Sequence, residues 1–570
     1  MRVDAIQLEV IANRLEEIQQ VMKHRLFHTG YSTILRESFD GSAGLTTADS
    51  RLIGASGVVT HTVPYSYMVK AVIEQFGPDN IHPGDTFITN DPYKGGATHT
   101  PDIGTATPVF SDDKMVAFCT SFGHKTDIGG IVPSTASAAS RSIFHEGLLL
   151  PPVKYLEGGK ICEGVRSIIR NNSRTPHVLL GDIDGQVGST RIGCQLFEDL
   201  CRQYGAATVT EVMELLIQSS ASRLRLALAA LPDGETEVEN HLDNDGTNDE
   251  PIRIHVRLSK RGDRVHLDLS GCSAQVAGPV NAVVQVIKAV AAGAVVGLVD
   301  HTIPYNDGIL QVVDMVCPEG LVINPRFPAP VNAYIPITHL VFNCVTTALG
   351  RLVPTHAVAE SGLGLGGIAF GYESTRQGDR HVQYEIPETA LGGTSRSDGA
   401  SMIFPMMIFE TIQPIEILES EFPVQVTNFG LNCDSAGAGR HRGGIGYVRE
   451  YKVLEDCLFM SRCAQRRFEA KGVAGGLCPK RTSLILNPGQ PDEYHIKGLD
   501  ELKLSAGDVV RIEMSGGGGW GDPRTRPDGD VLSDVSDGYV SIEGARRDYG
   551  RVIRRGPRGE FIVDRATQAK

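Results

Sequence analysis

The spacing of apolar residues at the start of the chain predicts an amphipathic helix. Apolar residues recur there every three or four positions: Ile6, Val10, Ile11, Leu15, Ile18 and Met22. That spacing places them on one helical face. The same pattern predicts helices near 193–204 and 208–231, and the following "LPDGETE" ends it with Pro and Gly. We therefore expect a domain boundary near residue 235.

A different pattern dominates after this boundary. Residues 252–271, "IRIHVRLSKRGDRVHLDLSG", read as two alternating runs joined by a Lys-Arg-Gly-Asp turn, which predicts a β-hairpin. Longer apolar runs at 283–299 and 338–349 predict buried helices. Short alternating runs separated by Gly and Pro follow in 421–570, and they are typical of β-rich structure.

These patterns predict a mixed α/β (α+β) fold with several lobes. The chain has 570 residues, too many for a single hydrophobic core. We expect an N-terminal α/β domain at 1–235, a central α/β domain at 236–420 and a β-rich C-terminal domain at 421–570.

Composition and charge exclude several classes of protein. The chain is 41% hydrophobic and 21% charged, as in soluble globular proteins, and its net charge of −14 argues against a nucleic-acid partner. It contains no apolar run of about 18 residues and no basic start of a signal peptide, so neither a membrane span nor secretion is expected. The 11 Cys residues form no Cys-x-x-Cys pair, which favours free thiols in the cytoplasm.

One short motif, His-x-x-Asp-Ile-Gly, occurs twice, at 99–104 and 124–129. His and Asp are the usual ligands of borderline-hard divalent metals such as zinc, manganese or iron. Pro101 excludes a helix interior for the first copy, and the apolar run "MVAFCTSF" between the copies predicts a strand. Both copies are thus expected at one end of a sheet, either as a metal site or as a repeated Asx-type turn.

Other motifs carry less chemistry. His24 and His28 have the spacing of a zinc helix, but Arg25 stands where a metalloprotease needs Glu. The glycine-rich segments "GLGLGG" (362–367) and "SGGGGWGDP" (515–523) are expected to be turns or closely packed backbone. The sequence contains neither a P-loop nor a Gly-x-Ser-x-Gly elbow.

Ten segments together resemble the hydantoinase B/5-oxoprolinase family, and they run in the family's order. The resembling segments are "LEVIANRLEEI" (8–18), "NDPYKGGATHTPDI" (90–103), "GHKTDIGGIVP" (123–133), "EGLLLPPVKYLEGG" (146–159), "SGCSAQVAGPVNA" (270–282), "IPYNDG" (303–308), "PIEILESEFPV" (414–424), "DSAGAGRHRGGIG" (434–446), "SGGGGWGDP" (515–523) and "DVSDGYVS" (534–541). This family includes B subunits of ATP-dependent hydantoin and lactam hydrolases and alpha subunits of acetone-type carboxylases.

The resemblance implies a division of labour between two subunits. Family members work with a larger ATP-binding A subunit of actin-like fold, in keeping with the absence of a P-loop here. The B-type subunit would carry a divalent metal (Mn, Zn or Fe) on His99, Asp102 and His124. The family pattern adds an early acidic residue, for which Asp40 is the candidate, and leaves Asp127 as an outer partner of the metal site or as a catalytic base.

The function that this resemblance implies is ring opening of a cyclic amide (a hydantoin, an oxoproline or a lactam) at the expense of ATP used by the A subunit. The metal would lower the pKa of a water molecule, and Asp127 or an unligated carboxylate nearby would take the proton. A hetero-oligomer such as (AB)2 is expected. Two alternatives stay open: the alpha-type subunit of an ATP-dependent ketone carboxylase, and a non-catalytic scaffold for the A subunit.

Overall fold

The N-terminal helix forms as predicted, but two of the six residues assigned to its apolar face, Ile6 and Val10, are exposed, because helical geometry turns them away from the buried side. The structure, a computed structural model, describes residues 3–135, 137–364, 366–373, 380–405, 410–463 and 465–564. Helix α1 (Ala5–His28) begins after Asp4, whose carboxylate accepts the backbone N–H of Gln7 at 2.8 Å. Its apolar face, including Ile11 and Leu15, is buried against the first sheet and a later helix.

The N-terminal lobe is an antiparallel sheet covered by helices. Its strands are β1 (Gly41–Thr47), β2 (Leu52–Gly57), β3 (Thr86–Thr89), β4 (Asp102–Ser111), β5 (Lys114–His124), β6 (Val153–Glu157) and β7 (Lys160–Ile161). Its further helices are α2 (Thr33–Arg36), α3 (Thr62–Phe76), α4 (Glu163–Asn171), α5 (Pro176–Tyr204) and α6 (Ala206–Ala229). The strand order is β2-β1-β5-β4-β3-β6-β7, and the predicted helices near 193–204 and 208–231 are confirmed as parts of α5 and α6.

The central lobe packs helices on a smaller sheet. Its strands are β8 (Gly234–Leu242), β9 (Ile252–Arg261), β10 (Arg264–Asp268) and β11 (Val313–Val316), in the order β11-β10-β9-β8. Its helices are α7 (Val284–Val299), α8 (Asp307–Leu310) and α9 (Ile335–Leu352). The predicted hairpin is β9–β10, and the predicted buried helices are α7 and α9. Even these apolar segments fall short of a membrane span, as does every helix in the described part of the chain.

The C-terminal lobe consists mainly of short strands. They are β12 (Ile368–Tyr372), β13 (His381–Glu385), β14 (Thr389–Ala390), β15 (Ser401–Ile403), β16 (Val424–Leu431), β17 (Tyr447–Val453), β18 (Cys457–Arg462), β19 (Ser483–Leu486), β20 (Tyr494–His495), β21 (Leu499–Leu504), β22 (Val509–Glu513), β23 (Ile553–Arg555) and β24 (Phe561–Val563). The accompanying helices are α10 (Ile415–Glu421), α11 (Asp528–Ser536) and α12 (Ile542–Tyr549).

Two larger sheets organise these strands, in the orders β13-β12-β18-β21 and β16-β17-β22-β19-β20. The first sheet joins strands from both sides of position 420, because β12 pairs with β18. The mixed α+β, multi-lobed fold class is therefore confirmed, whereas the domain boundaries at 235 and 420 stay predictions.

The two glycine-rich segments pack backbone against backbone. A Cβ added to Gly517 would overlap with the carbonyl oxygen of Leu391, and one added to Gly362 would meet the carbonyl oxygen of Gly516. These segments are close-packed backbone, as the sequence predicts, although position 365 lies outside the described residues.

Candidate metal centre

The two copies of the repeated motif meet at one end of the N-terminal sheet. His99 lies in the loop before β4, Asp102 is the first residue of β4, and His124 is the last residue of β5. Asp102 and His124 are paired directly across the two antiparallel strands. Asp40 immediately precedes β1, on the other side of β5, and its carbonyl oxygen accepts the N–H of His124 at 3.2 Å. The sheet register thus gathers all four predicted ligands.

Their ligand atoms converge on one buried point. His99 Nε2 lies 3.2 Å and His124 Nδ1 lies 3.1 Å from Asp102 Oδ1, and His124 Nδ1 lies 3.7 Å from Asp40 Oδ2. Ligands bound at about 2.1 Å in a tetrahedron lie about 3.4 Å apart, so these separations match a single divalent cation. Among the His, Cys, Asp and Glu residues that the structure describes, His99, Asp102 and His124 form a group whose potential ligand atoms all lie within 4.8 Å of one another.

The electrostatics of these residues also fit a metal. Burial opposes ionisation of Asp102, but the charge of His99 and hydrogen bonds from His124 and His61 outweigh it and hold the pKa of Asp102 well below its usual range. Burial lowers the pKa of His124 to about 4. An ionised carboxylate at Asp102 and a neutral imidazole at His124 are the states in which these two side chains bind zinc, manganese or iron.

Asp40 lies beside a further carboxylate that sequence reasoning missed. Burial, followed by the charge of Asp102, raises the pKa of Asp40 well above its usual range, and the carboxyl group of Glu410 lies next to that of Asp40. Glu410 Oε2 is buried without a hydrogen-bond partner in the described part of the chain. A divalent cation would offset this accumulation of buried acidic groups.

The ring of His99 is oriented from another lobe. Its Nδ1 donates to the backbone carbonyl of Asn332 at 2.9 Å, which leaves Nε2 to face Asp102. Arg462 donates to the same carbonyl and to Asn332 Oδ1, each at 3.0 Å. The buried carboxylate of Glu146 accepts the backbone N–H of Asn332 at 2.9 Å. Such outer contacts fix the tautomer and the direction of a metal-binding imidazole.

Aromatic rings close the site. Tyr384 stacks on His124 with ring centroids 4.7 Å apart, and Tyr334 meets His99 edge to face at 4.9 Å. The guanidinium of Arg462 lies over the Tyr384 ring at 5.0 Å. Asp102 and His124 are each 2% exposed. None of these aromatic and basic residues belongs to the repeated motif, so no local pattern in the sequence points to them.

Asp127, the remaining residue predicted at the site, is held by other contacts. Its Oδ1 accepts Arg174 Nη1 at 2.9 Å, and its Oδ2 accepts the backbone N–H groups of Arg174 at 2.7 Å and Gly129 at 3.3 Å. Taking up a proton would require Asp127 to give up part of its ion pair with Arg174. Its assignment as a catalytic base stays a prediction.

Comparison with known proteins places this site in a family context. The family model for hydantoinase B/oxoprolinase matches residues 4–523. The chain is 30% identical to the caprolactamase subunit beta of Pseudomonas jessenii, over 97% of this chain and 96% of that protein. It is 27% identical to 5-oxoprolinase 1 of Arabidopsis thaliana, over 91% of this chain but 42% of that longer protein.

Solved structures share the fold over nearly the whole chain. The crystal structure of the ATP-dependent caprolactamase from Pseudomonas jessenii superposes with a TM-score of 0.90 at 28% identity, covering 100% of this chain and 99% of that one. An acetone carboxylase in its nucleotide-free state also gives a TM-score of 0.90, at 18% identity, covering 98% of this chain and 82% of that one. The second likeness concerns the fold alone.

Proposed function

Because the chain belongs to the hydantoinase B/oxoprolinase family, we propose that it is the catalytic, metal-binding subunit of an ATP-dependent ring-opening amidohydrolase. Its substrate class would be a cyclic amide of the hydantoin, oxoproline or lactam type. The observation that carries this proposal is the buried convergence of His99, Asp102 and His124, with Asp40 beside them.

These four side chains would hold a divalent cation. Once bound, such a cation supplies Lewis acidity, which lowers the pKa of water and neutralises charge that develops on the attacked amide. The protein contributes orientation, because the Asn332 carbonyl fixes the ring of His99, and it contributes exclusion of bulk water through Tyr334 and Tyr384. Excluding water protects an activated substrate from premature hydrolysis.

A carboxylate must take the proton that the attacking water loses. Two carboxylates are candidates for this base: Asp127, to which the family resemblance pointed, and Glu410. Their hydrogen-bond contacts favour Glu410 as the proton acceptor. Glu410 Oε2 has no hydrogen-bond partner in the described residues, whereas both oxygens of Asp127 accept hydrogen bonds. We therefore propose Glu410 Oε2 as the atom that receives the proton.

A partner subunit would supply the ATP chemistry. Resonance makes an amide a poor electrophile, and phosphorylation of its oxygen would activate it. The chain has no P-loop. Its relative from Pseudomonas jessenii is by name a subunit beta. We propose an ATP-binding A-type partner, a hetero-oligomer such as (AB)2, and a cytoplasmic location.

A ketone carboxylase is the second candidate, favoured by the likeness to acetone carboxylase in fold. The hydrolase is preferred because, among the superposed structures, the caprolactamase is more similar in sequence than the acetone carboxylase, at 28% against 18% identity, and is covered over more of its own chain, 99% against 82%. A scaffold role is disfavoured, because a scaffold has no need of a buried cluster of ligand atoms.

The test is to purify the chain with an A-type partner and supply ATP. One arm adds a panel of hydantoins, 5-oxoproline and lactams, and product amino acids are quantified. The other arm adds ketones with labelled bicarbonate. We expect ring opening with ATP consumption, whereas incorporation of label would support the carboxylase. Activity in neither arm, from protein that binds no metal, would support the scaffold.

A further inference from the structure

A chain of buried hydrogen bonds reaches Oδ2 of Asp102, whereas His99 and His124 lie near Oδ1. Tyr65 Oη lies 2.5 Å from Ser42 Oγ, Ser42 Oγ lies 2.8 Å from His61 Nδ1, and His61 Nε2 lies 3.2 Å from Asp102 Oδ2. Each of these residues is at most 2% exposed. None of Tyr65, Ser42 and His61 belongs to the repeated motif.

Local structure explains this arrangement. His61 ends the turn that leads into α3, and Tyr65 lies four residues further along, so both side chains project from one face of the helix start. Ser42 lies on β1, next to β5. The Tyr65 ring packs against Phe122 of β5 with centroids 5.2 Å apart, which fixes the helix start on the sheet.

The direction of the protons along this chain follows from its two ends. The backbone N–H of Phe122 can only donate, and it donates to Tyr65 Oη at 3.3 Å. The carboxylate of Asp102 can only accept, so His61 Nε2 carries a proton and donates it. In the neutral imidazole Nδ1 then accepts from Ser42, and Ser42, whose single proton is used there, accepts from Tyr65.

This order decides which oxygen of Asp102 faces the metal. Oδ2 accepts the Nε2–H of His61 and also the hydroxyl of Thr98. Oδ1 is left facing His99 and His124. A carboxylate held by two donors on one oxygen presents the other in a fixed direction, which raises affinity for a metal.

We propose that His61 is a positioning residue of the metal centre: held as its Nε2–H tautomer by Ser42 and Tyr65, it fixes Asp102 so that Oδ1 binds the cation. This inference rests on the proposed function, because it requires a metal at His99, Asp102 and His124.

The experiment measures metal affinity of the metal-free protein with Zn²⁺ or Mn²⁺ against a chromogenic chelator. His61→Leu removes the donor to Asp102, and we expect its dissociation constant to rise about 10- to 100-fold. His61→Gln can place an amide N–H where the imidazole has Nε2–H, so it should restore most of the affinity. His339→Leu, at an equally buried histidine of α9, is the matched control and should bind as the wild type does.

A second variant keeps the proposal falsifiable if His61→Leu fails to fold. Ser42→Ala retains His61 but removes the donor that sets its tautomer, and a several-fold weaker affinity is expected. Wild-type affinity in folded His61→Leu, or in Ser42→Ala where His61→Leu is unfolded, would overturn the role of His61 while leaving the metal centre intact. Wild-type protein that binds neither metal would overturn the metal centre and this inference together.

Discussion

Asp102 and His124 face each other across neighbouring antiparallel strands, with Asp102 Oδ1 3.1 Å from His124 Nδ1. The two copies of the repeated motif contribute different positions to the site. The first copy supplies His99 and Asp102, whereas the second supplies His124, because its Asp127 is paired with Arg174. The register of β4 and β5 brings the two copies together. A shift of one residue in that register would point one of the two side chains to the opposite face.

His99→Ala and His124→Ala should each lose bound metal and turnover. Removing one of the two proposed nitrogen ligands would leave a site that cannot complete its coordination. The fold should persist, with a change in unfolding free energy of no more than about 3 kcal/mol, typical of point substitutions. Metal analysis, turnover and circular dichroism check this, with the exposed His24→Ala as the control. Full activity in either site variant would contradict the ligand assignment.

Glu410→Gln should lower kcat by about 10²–10⁴-fold, because the amide cannot take the proton that a general base accepts. Asp127→Asn should lower kcat less. Bound metal should stay at the wild-type level in both variants. A larger loss of kcat in Asp127→Asn than in Glu410→Gln would instead assign the proton to Asp127.

Arg174→Met is the control for the Asp127 variant, since it breaks their ion pair but keeps the carboxylate. Equal losses in Asp127→Asn, Arg174→Met and the double variant would show that Asp127 acts by holding its loop. Activity retained in Arg174→Met but lost in Asp127→Asn would support the base assignment.

Gly517→Ala should destabilise the protein by about 1–3 kcal/mol, the usual cost of forcing an extra methyl group into packed structure. Its added Cβ would overlap with the carbonyl oxygen of Leu391. Gly188→Ala is the matched control in the interior of α5, where an added Cβ meets open space. That substitution should stabilise by about 1 kcal/mol through helix propensity. Urea unfolding compares the two, and equal stabilities would refute the packing argument.

His339 should make stability depend on pH. Burial lowers the pKa of His339 from 6.5 to about 3, so below pH 6.5 the unfolded chain binds a proton that the folded protein does not. The contribution of this group to stability is therefore present above pH 6.5 and is lost as the pH falls towards 3. The limiting slope is about 1.4 kcal/mol per pH unit.

Unfolding of metal-free protein between these pH values checks this prediction. His339→Leu should lose less stability than the wild type as the pH falls, because it has no proton to bind. Parallel stability curves for the two proteins would contradict the burial argument.

Several of the helices and strands and the four candidate ligands could be predicted from local patterns in the chain. Apolar periodicity is a local property of the chain, so α1, the β9–β10 hairpin and the buried helices α7 and α9 could be predicted from it. The candidate ligands could be proposed because His99, Asp102 and His124 lie in a repeated motif and because Asp40 lies in a segment that resembles the family. The glycine-rich segment 515–523 predicted closely packed backbone, because glycine content is also a local property of the chain.

The surroundings of the candidate ligands, in contrast, depend on how distant parts of the chain pack together. Asn332 lies 233 positions from His99, and Arg462 lies 130 positions beyond Asn332, yet they form one hydrogen-bonded group. Asn332, Arg462, His61 and Glu410 lie in no recognisable motif, because their roles arise from packing between distant segments. A side chain's partner across such distances depends on how sheets and helices dock, which local periodicity does not specify.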